Sequence, residues 1–195
     1  TPAASHLIRL NETDGGIILS ASHNPGGVDE DVGIKFNTAN GGPAPEGVTD
    51  AIFARTQTID AYRLWQGDAP DIDTIGTFAL GDMIVRIVDP VADYADLMES
   101  LFDFAAIRAL FADNFSMRFD AMNAITGPYA HDILEGRLGA PGGTVVHGTP
   151  QPDFGGMHPD PNPTWAHELM ETMFAADGPD FGAASDGDGD RNMIV

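Results

Sequence analysis

The sequence predicts an α/β fold of mixed, mostly parallel sheets with helices on both faces, in two consecutive domains at 1–90 and 91–195. Two observations carry that reading. Short apolar runs alternate with stretches of helical spacing, the pattern of strand–helix units around a largely parallel sheet. Two polar, glycine-bearing loops, at 20–27 and 186–191, directly follow apolar runs. Such sheets bind ligands beyond the carboxyl ends of their strands.

Gly16-Ile17-Ile18-Leu19 reads as a buried strand that runs into the first loop, and Gly33-Ile34-Lys35-Phe36-Asn37 as a short second strand. Pro45–Leu64 has helical spacing with Val48, Ile52 and Phe53 on one face, and the acidic stretch Gly67–Gly81 reads as a loop. Met83–Val88 is a short strand. Pro90 opens a helix through Tyr94, Leu97 and Leu101, and the domain boundary falls there. Strands at 116–121, 144–147 and 181–185 then alternate with helices at 128–138 and 163–176, and Asn192–Val195 is a last apolar strand. Gly139 closes the first of those helices. Asn162 and Pro163 form a natural N-cap and first turn for the second, whose Trp165, Leu169 and Met173 share a core-facing stripe.

Composition sets outer bounds. With 195 residues, 43% of them hydrophobic, the chain can bury one or two ordinary cores. No apolar run approaches a membrane span, so no membrane partner is expected. Cysteine is absent, which excludes disulfides and is compatible with a cytoplasmic location. A net charge of −21 argues against nucleic-acid binding and admits an anionic ligand only in a locally cationic cleft. There is no internal repeat. His6 and His131 read as core or helix-face residues, His147 as a strand end and His167 as exposed. His158 heads a rigid His-Pro-Asp-Pro-Asn turn whose structural role outweighs a supporting role for substrate or metal loop.

The loop Ser20-Ala21-Ser22-His23-Asn24-Pro25-Gly26-Gly27 holds a serine and a histidine side by side on a polar turn. Backbone N–H groups near the glycine pair can approach an anion closely. Taken alone, such a serine more often bonds its own backbone. The second loop, Asp186-Gly187-Asp188-Gly189-Asp190-Arg191, changes the weighting. Glycines between three carboxylates rule out a solvated helix face and allow a tight curve that turns the carboxylates toward one point. Their repulsion calls for a cation, and hard oxygen donors suit Mg²⁺ or Ca²⁺. An EF-hand is a poor fit, because its sixth position would be Arg191 rather than glycine and the preceding segment is a small-residue strand.

Charge balance points to phosphate chemistry. Three aspartates and a phosphorylated Ser22 would carry about five negative charges against two on a divalent ion. Arg191 stands beside the last aspartate, and its planar fork matches phosphate geometry. Lys35 is the one lysine beside eight arginines, thirteen residues after Ser22. It can hold a phosphate as a point charge or titrate. An edge-strand lysine facing water is the plainer reading of Lys35 without its neighbours.

These motifs give the chain a resemblance to the α-D-phosphohexomutases, and within that superfamily to the phosphoglucomutase branch. It runs from Thr1-Pro2-Ala3 and the serine loop through Gly33–Asn37, Asn40–Glu46, Asp120–Met122, Gly127–Tyr129 and His158–Asn162 to Asp180–Met193. The serine and aspartate loops, 164 residues apart, are its specific part. There are departures: Ser20 replaces a usual Thr, Asn123-Ala124 a usual His-Gly, and Met157 a usual His.

The resemblance implies that Ser22 is a phosphoserine, with His23 assisting by hydrogen bonding or proton transfer. It implies that Asp186, Asp188 and Asp190, with an oxygen on Ser22, hold Mg²⁺. Arg191 and Lys35, with His23, would bind the phosphohexose and stabilise the moving phosphoryl group. His23 and Lys35 are both candidates for the general base. The implied reaction interconverts glucose 1-phosphate and glucose 6-phosphate through glucose 1,6-bisphosphate. The family has four domains, and this chain is expected to hold most of the first two. The remaining domains of the same polypeptide are then partners, and the isolated segment is expected not to turn over. Alternatives are a mutase for mannose or glucosamine phosphates and a non-catalytic acidic Ca²⁺-binding module. A Ser-His hydrolase lacks a nucleophile elbow.

Overall fold

The computed structural model describes residues 1–25 and 29–195; the Gly26-Gly27 pair, with its expected anion-facing amides, lies outside the described residues. Spacing alone assigns no element to residues 2–10, yet they form helix α1 (Pro2–Leu10), which starts on a proline and buries Ala3 and Ile8. Strands β1 (Gly15–Leu19) and β2 (Ile34–Thr38) pair antiparallel, with Ile18 opposite Lys35 and Leu19 opposite Ile34. Strand β1 is not the buried strand its sequence predicts. Ile17 and Leu19 are 71% and 75% exposed. Successive side chains point to opposite faces, and α1 covers only the face of Gly16, where an added Cβ would lie 2.6 Å from Ile8 Cδ1.

Helix α2 (Glu46–Thr56) stops well short of the expected Leu64 and buries no residue, so Val48, Ile52 and Phe53 form an exposed stripe. The expected loop at 67–81 contains a strand. β3 (Gly76–Leu80) pairs antiparallel with β4 (Met83–Ile87) across a tight turn at Gly81, whose φ of 63° favours glycine.

Helix α3 (Pro90–Leu101) begins at its expected proline, and the Asp89 carboxylate caps it by accepting from Val91 N at 2.9 Å. It packs against α1 and so ties the two halves of the chain. A further helix, α4 (Phe104–Ala112), is capped by Asp103, which accepts from Ala106 N at 2.9 Å.

The remaining strands, β5 (Met117–Asp120), β6 (Val145–Val146), β7 (Phe181–Ser185) and β8 (Asn192–Ile194), form one sheet in the order β6-β5-β7-β8. β5 runs parallel to β6 and β7, and β8 pairs antiparallel with β7. The sheets are therefore mixed, with the parallel pairing concentrated after residue 116. Helix α5 (Thr126–Ala130) passes directly into a wider π-helical segment, His131–Arg137, so the expected helix at 128–138 is present in two geometries. Helix α6 (His167–Met173) is shorter than expected. Asn162 does cap, but Oδ1 accepts from Thr164 N and Trp165 N in a turn that precedes the helix.

Met122, Ala166, Leu169 and Ala184 form a buried cluster against which Met173, Met193 and Val195 pack. Ala183, the alternate residue of β7, faces the other side, toward Met98, Ile107 and Ile133. Helices thus cover both faces. β7 lies between β5 and β8, and its carboxyl end delivers Asp186 into the interior.

Candidate active site

The first loop leaves β1 under tight control. Ser20 N donates to Gly33 O at 3.0 Å, and a Cβ on Gly33 would lie 1.8 Å from the Ser20 carbonyl oxygen, so only glycine permits this approach. Ser22 N donates to Ser20 Oγ at 3.0 Å, while Ser22 takes a φ of 58°, a left-handed conformation that a non-glycine residue adopts at a cost. That geometry aims the hydroxyl at the second loop. Ser22 Oγ lies 3.0 Å from Asp186 Oδ2 and 3.2 Å from Asp188 Oδ1.

The second loop closes on itself. Asp186 N donates to Arg191 O at 3.1 Å, and Asp186 Oδ1 accepts from the backbone N of Asp190 and Arg191. Gly189 takes a φ of 76° at the turn. Asp186 is fully buried, Asp188 nearly so, and Asp190 is exposed. One oxygen from each of the three lies within 4.8 Å of the others. This convergent set of hard oxygens fits Mg²⁺ or Ca²⁺, and the Ser22 hydroxyl adds a fourth oxygen on the same side.

Cations offset the crowding. Lys35 Nζ lies 2.5 Å from Asp188 Oδ2 and 3.3 Å from Asp190 Oδ2. The Thr1 hydroxyl also donates to Asp188 Oδ2. Burial by itself would raise the Asp188 carboxyl, but Lys35 and Thr1 override it and hold the group well below the usual carboxylate range. Burial likewise pulls Lys35 down, and bonding to Asp188 and Asp190 reverses this, leaving its amine above the ordinary lysine value. Lys35 is therefore not a water-facing edge residue. Arg191 joins the cluster through Asp186, with Nε and Nη2 each 3.1 Å from Oδ2, while Nη1 donates to Asp160 Oδ1 at 3.1 Å. Burial opposes its charge, and Asp186 and Asp160 more than restore it.

His23 turns the other way. Its ring meets His158 edge to face at 5.9 Å between centroids, and His158 packs against Trp165 at 4.6 Å with the rings tilted by 57°. His23 Nδ1 is buried and makes no hydrogen bond among the described residues. Trp165 is thus no core residue; it is 47% exposed, held at the edge by His158, whereas Leu169 and Met173 pack inward as expected. Of the other histidines, His131 lies 2.7 Å from Glu135 on a helix face. His147 Nδ1 lies 2.9 Å from the buried Asp120, a structural pair behind the loop at 121–125.

A cleft of about 280 Å³ opens beside these groups, lined by Ser20, Ser22, Asn24, Pro152, Phe154 and Asp188 among others. A larger cavity of about 400 Å³ behind β5 and β7 has no charged residue in its lining and is an apolar gap. The smaller cleft is the one that meets Ser22 and Asp188.

Two residues make contacts at the site that the sequence reading of their motifs does not give. Asp160 anchors Arg191, and Gly187 lets the loops touch, since a Cβ there would lie 2.0 Å from the Ser22 carbonyl oxygen. His-Pro-Asp-Pro-Asn is visible as a rigid motif, but which residue it meets depends on how α6 packs.

Comparison with known proteins matches residues 92–195 to the family model "Phosphoglucomutase/phosphomannomutase, alpha/beta/alpha domain II" and residues 1–63 to domain I of the same family. A phosphoglucomutase of Rhizobium radiobacter is 60% identical over 195 residues, covering all of this chain and 36% of that protein. The chloroplastic phosphoglucomutase of Solanum tuberosum is 50% identical over 198 residues, covering all of this chain and 31% of its own length. Among solved structures, the open form of the Paramecium exocytosis-sensitive phosphoprotein parafusin, a phosphoglucomutase, superposes with a TM-score of 0.89 at 42% identity, covering all of this chain and 38% of that one. The chain therefore spans about a third of the length of the curated relatives it matches.

Proposed function

From the premise that this chain belongs to the phosphoglucomutase/phosphomannomutase family, we propose that it carries the phosphoryl-transfer centre of a phosphoglucomutase. One observation carries the reading: the Ser22 hydroxyl lies within 3.2 Å of two carboxylates from a loop 164 residues away. A hydroxyl in that position, once phosphorylated, brings its oxygens to the convergent carboxylates and to Lys35 and Arg191.

Asp186, Asp188, Asp190 and an oxygen on Ser22 would hold Mg²⁺, which supplies charge neutralisation for phosphoryl oxygens. The chain's own groups do the rest. In the forward step the bond between Ser22 Oγ and phosphorus breaks as a sugar hydroxyl oxygen bonds to phosphorus. The hydroxyl proton passes to a base on this chain, with His23 and Lys35 as the candidates, and a proton is delivered to Ser22 Oγ as its bond to phosphorus breaks, so that the free serine hydroxyl is restored. Lys35, held in its charged form, is the better suited to stabilising the phosphoryl group. The product of that step is a sugar bisphosphate, and the reverse step at its other phosphate restores phosphoserine. Glucose 1-phosphate and glucose 6-phosphate are the substrates supported by the relatives' names, with glucose 1,6-bisphosphate as intermediate.

The division into units at 1–90 and 91–195 is supported by the gap between the two family models at 63 and 92. The remaining length of the relatives supports further domains of the same polypeptide as the sugar-reading partners. A cytoplasmic location is supported by the cysteine-free composition; no helix among the described residues is long and apolar enough to cross a membrane.

The test is intact mass and peptide mapping of the complete polypeptide purified with Mg²⁺ and glucose 1,6-bisphosphate. One phosphoryl group on the peptide carrying Ser22 is expected. Folded, Mg²⁺-loaded protein with unmodified Ser22 would favour the non-catalytic cation-binding module instead.

A further inference from the structure

We propose that Asp160 is a positioning residue that fixes the Arg191 guanidinium for phosphoryl transfer, an inference that rests on the phosphoglucomutase reading above. The carboxylate is itself held in place. It lies between Pro159 and Pro161, and Asn162 Nδ2 donates to Asp160 Oδ2 at 2.7 Å. Asn162 is in turn anchored by the turn it caps through Thr164 N and Trp165 N. Backbone bonds from Asp160 N to His158 O and from Asn162 N to Asp160 O, both 2.8 Å, tighten the same segment. The second oxygen, Oδ1, is then left to accept from Arg191 Nη1 at 3.1 Å.

Arg191 is gripped from two sides. Asp186 takes Nε and Nη2, and Asp160 takes Nη1. A guanidinium has five N–H donors in a rigid plane. Two donate hydrogen bonds here, Nε–H to Asp186 and one Nη1–H to Asp160, so the remaining N–H groups on Nη1 and Nη2 make no hydrogen bond among the described residues and are available to an anion. Contact with Asp186 alone leaves the plane free to swing about that carboxylate. A second acceptor on Nη1 fixes the plane, and with it the direction of the free donors. Arg191 is 44% exposed and Asp160 24%, so the pair contributes little to stability. Its value lies in orientation, where a small misplacement of a charge-stabilising group lowers the rate steeply.

The experiment compares wild type, Asp160→Ala, Asp160→Asn, Arg191→Ala and the Asp160→Ala/Arg191→Ala double variant in the complete polypeptide, measuring kcat, KM and the melting temperature. Asp160→Ala is expected to lower kcat tenfold or more with KM within threefold of wild type and an unchanged melting temperature. Asp160→Asn, which keeps an acceptor for Nη1, should recover kcat to within threefold. In the Arg191→Ala background, losing Asp160 should cost less than twofold more. Wild-type kcat in Asp160→Ala, or fully additive losses in the double variant, would overturn the role. Should Asp160→Ala fail to fold, Asp160→Ser, too short to reach the guanidinium, is read by the same criteria. Wild-type protein without hexose-phosphate mutase turnover removes the functional reading and this role with it; normal wild-type turnover beside an unaffected Asp160→Ala removes this role alone.

Discussion

Ser22 and Gly187 show how much of the site depends on single atoms. Ser22 contributes one hydroxyl beside three carboxylates, so Ser22→Ala should abolish mutase turnover in the complete polypeptide while changing Mg²⁺ affinity by less than about threefold. Calorimetric titration and a coupled activity assay measure both, and retained turnover would end the phosphoserine assignment. Gly187 presents the reverse case, where the missing side chain is what counts. Its Cβ position is 2.0 Å from the Ser22 carbonyl, a backbone atom that cannot rotate away. Gly187→Ala should push the loops apart, lower kcat at least tenfold and destabilise the fold by about 1–3 kcal/mol, as overpacking does. Wild-type kcat and denaturation midpoint in this variant would show that the loops yield without consequence. Neither effect is legible from Asp-Gly-Asp-Gly-Asp alone. That motif announces a cation site, but not which glycine is pressed against a serine from the other end of the chain.

At the scale of elements, strands after residue 116 follow their apolar runs closely, with β7 at its expected bounds. β7 lies between β5 and β8 and is buried on both faces, so there hydrophobicity and strand coincide. β1 and α2 depart because local pattern reports what a face could bury and not what lies against it. α4 escapes the spacing argument although Asp103 offers a cap signal that the sequence carries. One inter-element contact is expected to depend on pH. Glu135, in the π-helical segment, accepts from Gly143 N at 3.0 Å and Val145 N at 3.1 Å and lies 2.7 Å from His131, clamping the turn that enters β6. Burial alone would raise its carboxyl, but the His131 contact and the two amides hold it below the usual glutamate range. The stability it contributes is complete above the unfolded value of about 4.3 and is lost as pH falls through the lower, folded one. Glu135→Gln should therefore destabilise by about 1–2 kcal/mol at pH 7, with the gap from wild type closing at acid pH. Thermal melts across pH 3–7 measure this, and a gap that stays constant with pH would contradict it.

For the molecule as a whole, a net charge of −21 means that the carboxylate cluster forms against a general background of repulsion. Lys35 and Arg191 offset part of it, and a divalent ion held by the native cluster should offset more. A ligand that binds only the folded state at a hundred times its Kd adds about 2.7 kcal/mol. Saturating Mg²⁺ should thus raise the melting temperature by several degrees, and EDTA should reverse the shift. Asp188→Asn should lose both the shift and the turnover. An equal Mg²⁺ shift in that variant would take Asp188 out of the ligand set.

The sequence by itself determined the α/β class and the make-up of the two loops, a serine–histidine turn and a glycine-spaced run of three carboxylates. These follow from residue types, glycine spacing and strand-to-loop order, all local in the chain. Only the tertiary structure decided that Ser22 adopts a left-handed backbone and meets Asp186 and Asp188, that Lys35 is committed to Asp188, and that Asp160 grips Arg191. Those contacts join residues 31 to 166 positions apart. Their distances depend on how β1, β7 and the turn before α6 pack together, which no local pattern encodes.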